Sequence, residues 1–343
     1  MAAERTVAVF GAYGHTGRFV VAELARRGFT PVAGGRDAGR LREAAARAGA
    51  EARPASVDDP ASLDRLLAGA AAVVNCAGPF AATAGPVAEA ALRAGIAYVD
   101  VAAEIEANRD TFERFAGPAQ AAGTIVLPAM AFFGGLGDLL ATAAMGDWPG
   151  ADQAHVAYGL SSWHPTPGTR AAGAVSHERR GGRRVRFSGG RLEHHDEPLP
   201  TLEWDFPAPA GRRTVLGDFT MADSVTVPHH LAVPDVRGYM TVEAARDLSS
   251  PDTPPPAAAG EDGRSAQTFV VDVVLRRGAE RRRAGASGRD IYAVSAPLAV
   301  EAVTRVLDGR TAVPAGAASA GELFDAADFL RALAPYVTVE LPD

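Results

Sequence analysis

Five glycines set the outline of the first 145 residues. Gly28, Gly49, Gly69, Gly95 and Gly123 each stand where a helical stretch should stop, and an apolar segment follows each one. The segments "TVAVFG", "TPVAGG", "AEARPASV", "AAVVNCAG", "AYVDVAA" and "TIVLPAM" read as strands, with helices expected near 16–27, 37–48, 60–68, 85–94 and 107–122. Strand and helix alternating at this spacing predict an α/β fold: a Rossmann-type doubly wound parallel sheet with helices on both faces.

The first strand runs into "VFGAYGHTGR", a glycine turn that opens a helix. The spacing is Gly11-x-x-Gly14-x-x-Gly17 rather than G-x-G-x-x-G, but the physical roles are available. Gly11 turns the chain off the strand, Gly14 leaves bare backbone for a pyrophosphate, and Gly17 allows close helix–sheet packing. The helix N-terminus then offers free N–H groups to the phosphates. Tyr13, His15 and Thr16 belong to the same candidate cradle, although a plain βα turn would look similar. At the end of the second strand, "AGGRD", Gly34 and Gly35 clear space. Arg36 occupies the position that reads a 2′-phosphate, which predicts NADP(H) over NAD(H). Asp37 is expected to cap the next helix, and Asp59-Pro60 the one after it. Asp58 either touches the adenine amine or caps a helix. Cys76, Ala77, Gly78 and Pro79, after the fourth strand, are expected to line the cofactor, with Ala77 and Gly78 under the nicotinamide ribose and Cys76 a packed thiol.

Beyond residue 150 the pattern changes to extended segments and polar loops. "QTFVVDVVLRR" is expected to pair with "GAERRRAGAS" as a hairpin, 249–266 is read as a surface loop, and "APLAVEAVTRVLDG" as a helix. The expected domains are 1–148 for dinucleotide binding and 149–288 for substrate and dimerisation, an α+β domain on a mostly antiparallel sheet. Residues 289–343 form a C-terminal segment.

Composition removes several functions. All 34 basic residues are arginine, so a Schiff-base lysine, a Walker lysine and a Tyr-x-x-x-Lys pair are excluded. One cysteine excludes a disulfide framework. The net charge of -7 argues against a nucleic-acid partner. The apolar run 124–145 is broken by Pro128, three glycines and Asp138, so no membrane span is expected. The start, "MAAERTVAVFG", lacks the pattern of an export signal, which predicts a cytoplasmic location.

"GAYGHTGR", "AGGRD", "VVNCAGPF", "AGIAYVDVAAE" and "VLPAMAFFGGLGDLLA", in this order, resemble the saccharopine dehydrogenase-like oxidoreductases, and "GRDIYAVSAPLAVEAV" and "GELFDAADFLRAL" resemble bacterial members of that group. The resemblance implies an NADP-binding domain, a second domain on a β-sheet, a C-terminal segment returning to the first, and hydride transfer to a C=N or C=C bond. Relatives include imine reductases and trans-acting enoyl reductases. The chain departs from enzymes that act on saccharopine itself: it has no lysine for a Lys/His acid–base pair, and it reads "DVAAE" where relatives often carry a glycine before the glutamate.

Acid–base candidates are Asp100 and Glu104 at the sheet's carboxyl edge, which would otherwise be turn or capping carboxylates, and Tyr158 and His164 in "YGLSSWHPTPGTR", where Trp163 would complete a substrate wall. Asp138 is expected to cap its helix. His194–His195 and His229–His230, as adjacent pairs on extended chain, lack metal-ligand spacing, and no metal site is expected. The arginine run 179–191 reads as a solvated hairpin or as a docking patch for an acidic carrier. These features predict an NADPH-dependent reductase of a small metabolite in bacterial specialised metabolism, by analogy a homodimer. The alternatives are an enoyl reductase on a carrier-bound chain and an NADP-sensing regulator like the NmrA group. The long second domain favours an enzyme.

Overall fold

The computed structural model describes residues 5–342, so residues 1–4 and 343 of the expected domains lie outside the described residues. The first half alternates strictly: β1 (Thr6–Phe10), α1 (His15–Arg26), β2 (Thr30–Gly35), α2 (Ala38–Ala48), β3 (Glu51–Pro54), α3 (Pro60–Leu67), β4 (Ala72–Asn75), α4 (Phe80–Ala94), β5 (Ala97–Asp100), α5 (Ile105–Ala122) and β6 (Ile125–Leu127). These six strands pair in parallel in the order β3-β2-β1-β4-β5-β6. Both faces of β1 are buried, Val7 and Val9 towards α1 and Ala8 and Phe10 towards α3 and α4, which is why the strand reads as an unbroken apolar run. Gly49, Gly95 and Gly123 end α2, α4 and α5 in the left-handed conformation. The start of α4 differs from expectation: the helix begins at Phe80 and runs through Pro86.

The second half comprises α6 (Gly137–Met145), β7 (Gln153–Leu160), α7 (Pro167–Arg179), β8 (Arg184–Ser188), β9 (Arg191–His195), β10 (Thr201–Asp205), β11 (Arg212–Leu216), α8 (Asp223–His230), β12 (Asp235–Thr241), α9 (Val242–Ser249), β13 (Thr268–Arg277), β14 (Glu280–Arg289), α10 (Ser295–Leu307), β15 (Gly316–Ala317), α11 (Ala320–Leu323), α12 (Ala326–Ala332) and β16 (Val337–Glu340). The second sheet runs β10-β11-β12-β7-β13-β14-β16, with the β8–β9 hairpin attached to β12. It is antiparallel except where β12 lies parallel to β7, and β13 and β14 form the expected hairpin. Of the expected loop 249–266, Ser249 ends α9, and residues 250–266 have no helix or strand. Arg170 binds its Ser250 and Thr253 carbonyls at 2.9 Å, and Asp290 accepts from Ser265 N–H at 2.7 Å.

The C-terminal segment divides between the sheets. β15 adds a seventh parallel strand beside β6, and α10 packs on α1, but β16 closes the edge of the second sheet against β14. One apolar core is continuous from Val9 and Leu24 through Leu139 to Val156, Val273 and Leu298. Asp138 does not cap its own helix: fully buried, it accepts from His230 Nε2 at 2.9 Å and from Gly321 N–H at 2.7 Å, tying α6 to α8 and α11. His229 and His230 close a helix rather than an extended strand, with His229 stacked 3.9 Å from Phe112.

Asp223, the first residue of α8, is buried beneath this junction. Its Oδ2 accepts from Tyr158 Oη at 2.8 Å, and its Oδ1 has no partner among the described residues. Burial pushes its carboxyl from 3.8 up to about 7. The folded value lies above the unfolded one, so the stability it contributes is complete below about pH 4 and is lost as pH rises through about 7. We expect Asp223→Asn to flatten the fall in the urea midpoint between pH 5 and 8. A slope equal to wild type would contradict this assignment.

Candidate functional site

At the carboxyl edge of the first sheet three backbones meet with no space for side chains. Gly11 has φ +85°, and a Cβ there would lie 2.8 Å from Ala77 N; a Cβ on Gly17 would lie 2.2 Å from the Gly11 carbonyl oxygen. Gly14 N–H closes the turn onto that same carbonyl at 2.9 Å. α1 therefore starts hard against the sheet, and its N-terminus carries no side-chain cap and no acidic residue in the first turn. The N-termini of α2, α3 and α4, in contrast, are taken by Asp37, Asp59 and Glu104. An open helix N-terminus over bare glycine backbone suits a pyrophosphate. His15 and Thr16 stand on the cavity surface, whereas Gly17 serves only the packing. Burial and the charge of Arg18 hold the His15 imidazole below its ordinary pKa, and its Nε2 has no partner among the described residues.

The end of β2 and the first turns of α1 and α2 supply the cations. Arg36 lines the cavity, and so do two arginines missed from the sequence, Arg18 and Arg40. Arg40 sits 4.8 Å above the Tyr13 ring. The Cβ positions of Gly34 and Gly35 are filled by Leu66 and by Tyr13, and Gly35, as expected, lines the cavity. Asp58 reaches the cavity and is not the cap of α3, since Asp59 accepts from Ser62 N–H.

Cys76, Ala77, Gly78 and Pro79 line the cavity from the turn after β4. Asn75 holds that turn, accepting from Ala77 N–H at 3.0 Å. Burial, with the nearby Asp100 charge, pushes the Cys76 thiol well up, which fits a packed thiol. Asp100 is not an acid–base group. It is fully buried away from the cavity and accepts from Tyr98 Oη and from Ala102 and Ala129 N–H at 2.8–3.0 Å, bolting β5 to the loop after β6. Glu104 does reach the cavity wall. Its carboxylate accepts from Phe80 and Ala81 N–H, and burial raises its pKa against those two bonds.

The cavity, about 800 Å³, continues from this cradle into a chamber faced by Phe132, Phe133, Trp163, Phe219 and Met221. Tyr158 and His164 are not on its wall. Tyr158 is buried behind Phe132 and Phe133, bonded to Asp223, and His164 contributes only its carbonyl, to Tyr292 Oη. Tyr292, also missed, lines the cavity and joins the two halves. Its ring meets the His15 ring edge-on at 5.3 Å, and its hydroxyl accepts from Trp163 Nε1 and Thr166 N–H. In the arginine run, Arg179, Arg186 and Arg191 pair with Asp110, Glu197 and Glu193. Among the described residues no three His, Cys, Asp or Glu side chains gather into a metal-binding set, and no helix is long and apolar enough to cross a membrane.

Residues 7–127 match the family model of the saccharopine dehydrogenase NADP binding domain. The match lies within the first half of the chain. Its first domain is of the NADP-binding kind, and the residues above fit that cofactor. The human saccharopine dehydrogenase-like oxidoreductase is 35% identical over 115 residues, covering 28% of this chain and 27% of that protein. The Bos taurus protein of the same name is 32% identical over the same length, with the same coverage of each chain. The match thus spans about a quarter of the length of these curated relatives. The apo saccharopine dehydrogenase (L-Glu forming) of Saccharomyces cerevisiae superposes over 99% of this chain and 100% of its own with a TM-score of 0.64 at 13% identity, which shows the shared fold.

A charge-assisted bond from arginine to phosphate contributes about 1.5–3 kcal/mol. Arg36→Ala should therefore weaken NADPH binding by about tenfold to a hundredfold in a calorimetric titration and leave NADH affinity unchanged. An equal loss for both cofactors would remove Arg36 from phosphate recognition.

Proposed function

We propose that the chain is an NADPH-dependent reductase that delivers hydride to a C=N bond or a conjugated C=C bond of a small, largely apolar metabolite. The observation that carries this reading is the continuity of the cradle with an aromatic-walled chamber that residues of the second domain close. A protein that only sensed the NADP redox state would have no use for that second compartment.

NADPH, when bound, supplies the hydride. The chain's own residues hold, enclose and orient. The free N–H groups of α1 and the guanidinium groups of Arg18, Arg36 and Arg40 face the cradle. Across the turn at Gly78 stands α7, where a Cβ built on Gly78 would lie 3.9 Å from Ala172 Cβ. Phe132, Phe133 and Trp163 shed water from the space between, where an uncharged acceptor is favoured. Of the four expected acid–base groups only Glu104 reaches the cavity, with a carboxyl raised by burial that suits giving or holding a proton at the chamber wall. Uncompensated basic groups for several substrate carboxylates do not line the chamber among the described residues, which supports a substrate other than saccharopine.

The purified chain should oxidise NADPH when supplied with a cyclic imine or an α,β-unsaturated carbonyl compound, followed by loss of NADPH absorbance. Tight NADPH binding with no oxidation across both acceptor classes would favour the sensing role instead.

A further inference from the structure

One arginine of the run 179–191 turns inward. Ser176 and Arg180, the latter the residue that follows the last turn of α7, line the cavity on the side that also carries Ala172, at four-residue intervals. With a rise of 1.5 Å per residue, Ser176 and Arg180 stand about 6 and 12 Å along the helix from the Ala172–Gly78 contact. Beneath them, from the first turn of α5, lies Glu106, 7% exposed. Its Oε2 accepts from the Ser176 hydroxyl, and its Oε1 lies 3.6 Å from Arg180 Nη1. Arg180 Nη1 also donates to Ser176 Oγ at 3.3 Å, while its Nε is buried with no partner and its Nη2 has none among the described residues.

A guanidinium keeps its charge and presents five N–H donors, so an arginine at a cavity wall with donors to spare is a recognition group. Its charge is already met by Glu106; of the other charged residues described on the cavity, Arg18, Arg36, Arg40 and Asp58 belong to the cradle and Glu104 to the chamber wall. A substrate carboxylate in the chamber would bring a further negative charge between Glu106 and Glu104 in a medium of low dielectric, at a cost the already paired Arg180 does not repay. A carbonyl oxygen needs only the donors.

Resting on the reductase reading, we propose that Arg180, held and neutralised by Ser176 and Glu106, recognises a neutral carbonyl of the substrate, of the amide, ester or thioester class, and that the site discriminates against free carboxylates.

The test titrates the NADP+-loaded full chain with trans-cinnamamide and trans-cinnamate, matched in shape and different in charge at neutral pH, by calorimetry. The amide should bind at least about tenfold more tightly than the carboxylate, and Arg180→Gln, which removes the donors and leaves Glu106 uncompensated, should weaken the amide about tenfold without improving cinnamate. Glu106→Gln keeps an acceptor for Ser176 but leaves Arg180 uncompensated, so the preference should move about tenfold or more towards cinnamate. A merely structural Glu106 would weaken both probes alike. Equal or tighter binding of cinnamate by the wild type, an unchanged ratio in Glu106→Gln, or no binding of either probe overturns the proposal. A chain that fails to take up NADP+ in the first titration fails the reductase reading itself, which separates the two outcomes.

Discussion

A side chain on Gly11 would strike the amide of Ala77, and one on Gly17 the carbonyl of Gly11. The bare contact between the turns after β1 and β4 is what brings the uncapped start of α1 to the carboxyl edge of the sheet. With a Cβ in either place α1 would move outwards, and its free amides would no longer face the turn Cys76–Pro79. Every other feature of the cavity is arranged around that opening. Asp37, Asp59 and Glu104 close the neighbouring helix ends, so the open one is the place where an anion is stabilised by backbone alone.

The second constraint is that the two sheets share one apolar core and exchange elements. β15 belongs to the first sheet and β16 to the second, and α6 packs on β13 and β14 although it follows directly from the loop after β6. The buried Asp138 carboxylate fastens α6 to α8 and α11 at once. Around the cavity the same coupling runs through Tyr292, which meets His15 on one side and gathers Trp163, Thr166 and Thr169 on the other. The turn expected to hold the phosphates and the helix that roofs the chamber thus share one side chain. Side chains aimed across such a junction keep their positions without a loop having to order first.

The alternation of the first half was readable because its signals are local: apolar strands, capping carboxylates and glycine stops all act within a few residues. α4 escaped because its cap is not local. Glu104, two dozen residues downstream, satisfies Phe80 and Ala81, so the helix starts without a capping residue of its own and the later Pro86 draws the eye instead. Arg36 and the glycine turn were legible for the same reason as the strands, whereas Arg18 and Arg40, on the same cavity wall, required the helix faces to be known. Three of the four acid–base candidates, all but Glu104, fail on orientation. Asp100 ends a strand at the right edge but turns into the backbone of the next loop. Tyr158 alternates with Val156 and Leu160 on the buried face of β7, a period-two signal present in the sequence. Arg180 was hidden among arginines that bind surface carboxylates, and nothing in the composition of that run separates the one that faces inward.

The most direct test of this account is a crystal structure of the chain with NADP+. The account predicts pyrophosphate density at the N-terminus of α1, the 2′-phosphate beside Arg36 and Arg40, and the nicotinamide inside the chamber, between the Gly78 turn and Ala172. A cofactor whose nicotinamide points out of the cavity, or whose 2′-phosphate lies away from both arginines, would contradict it.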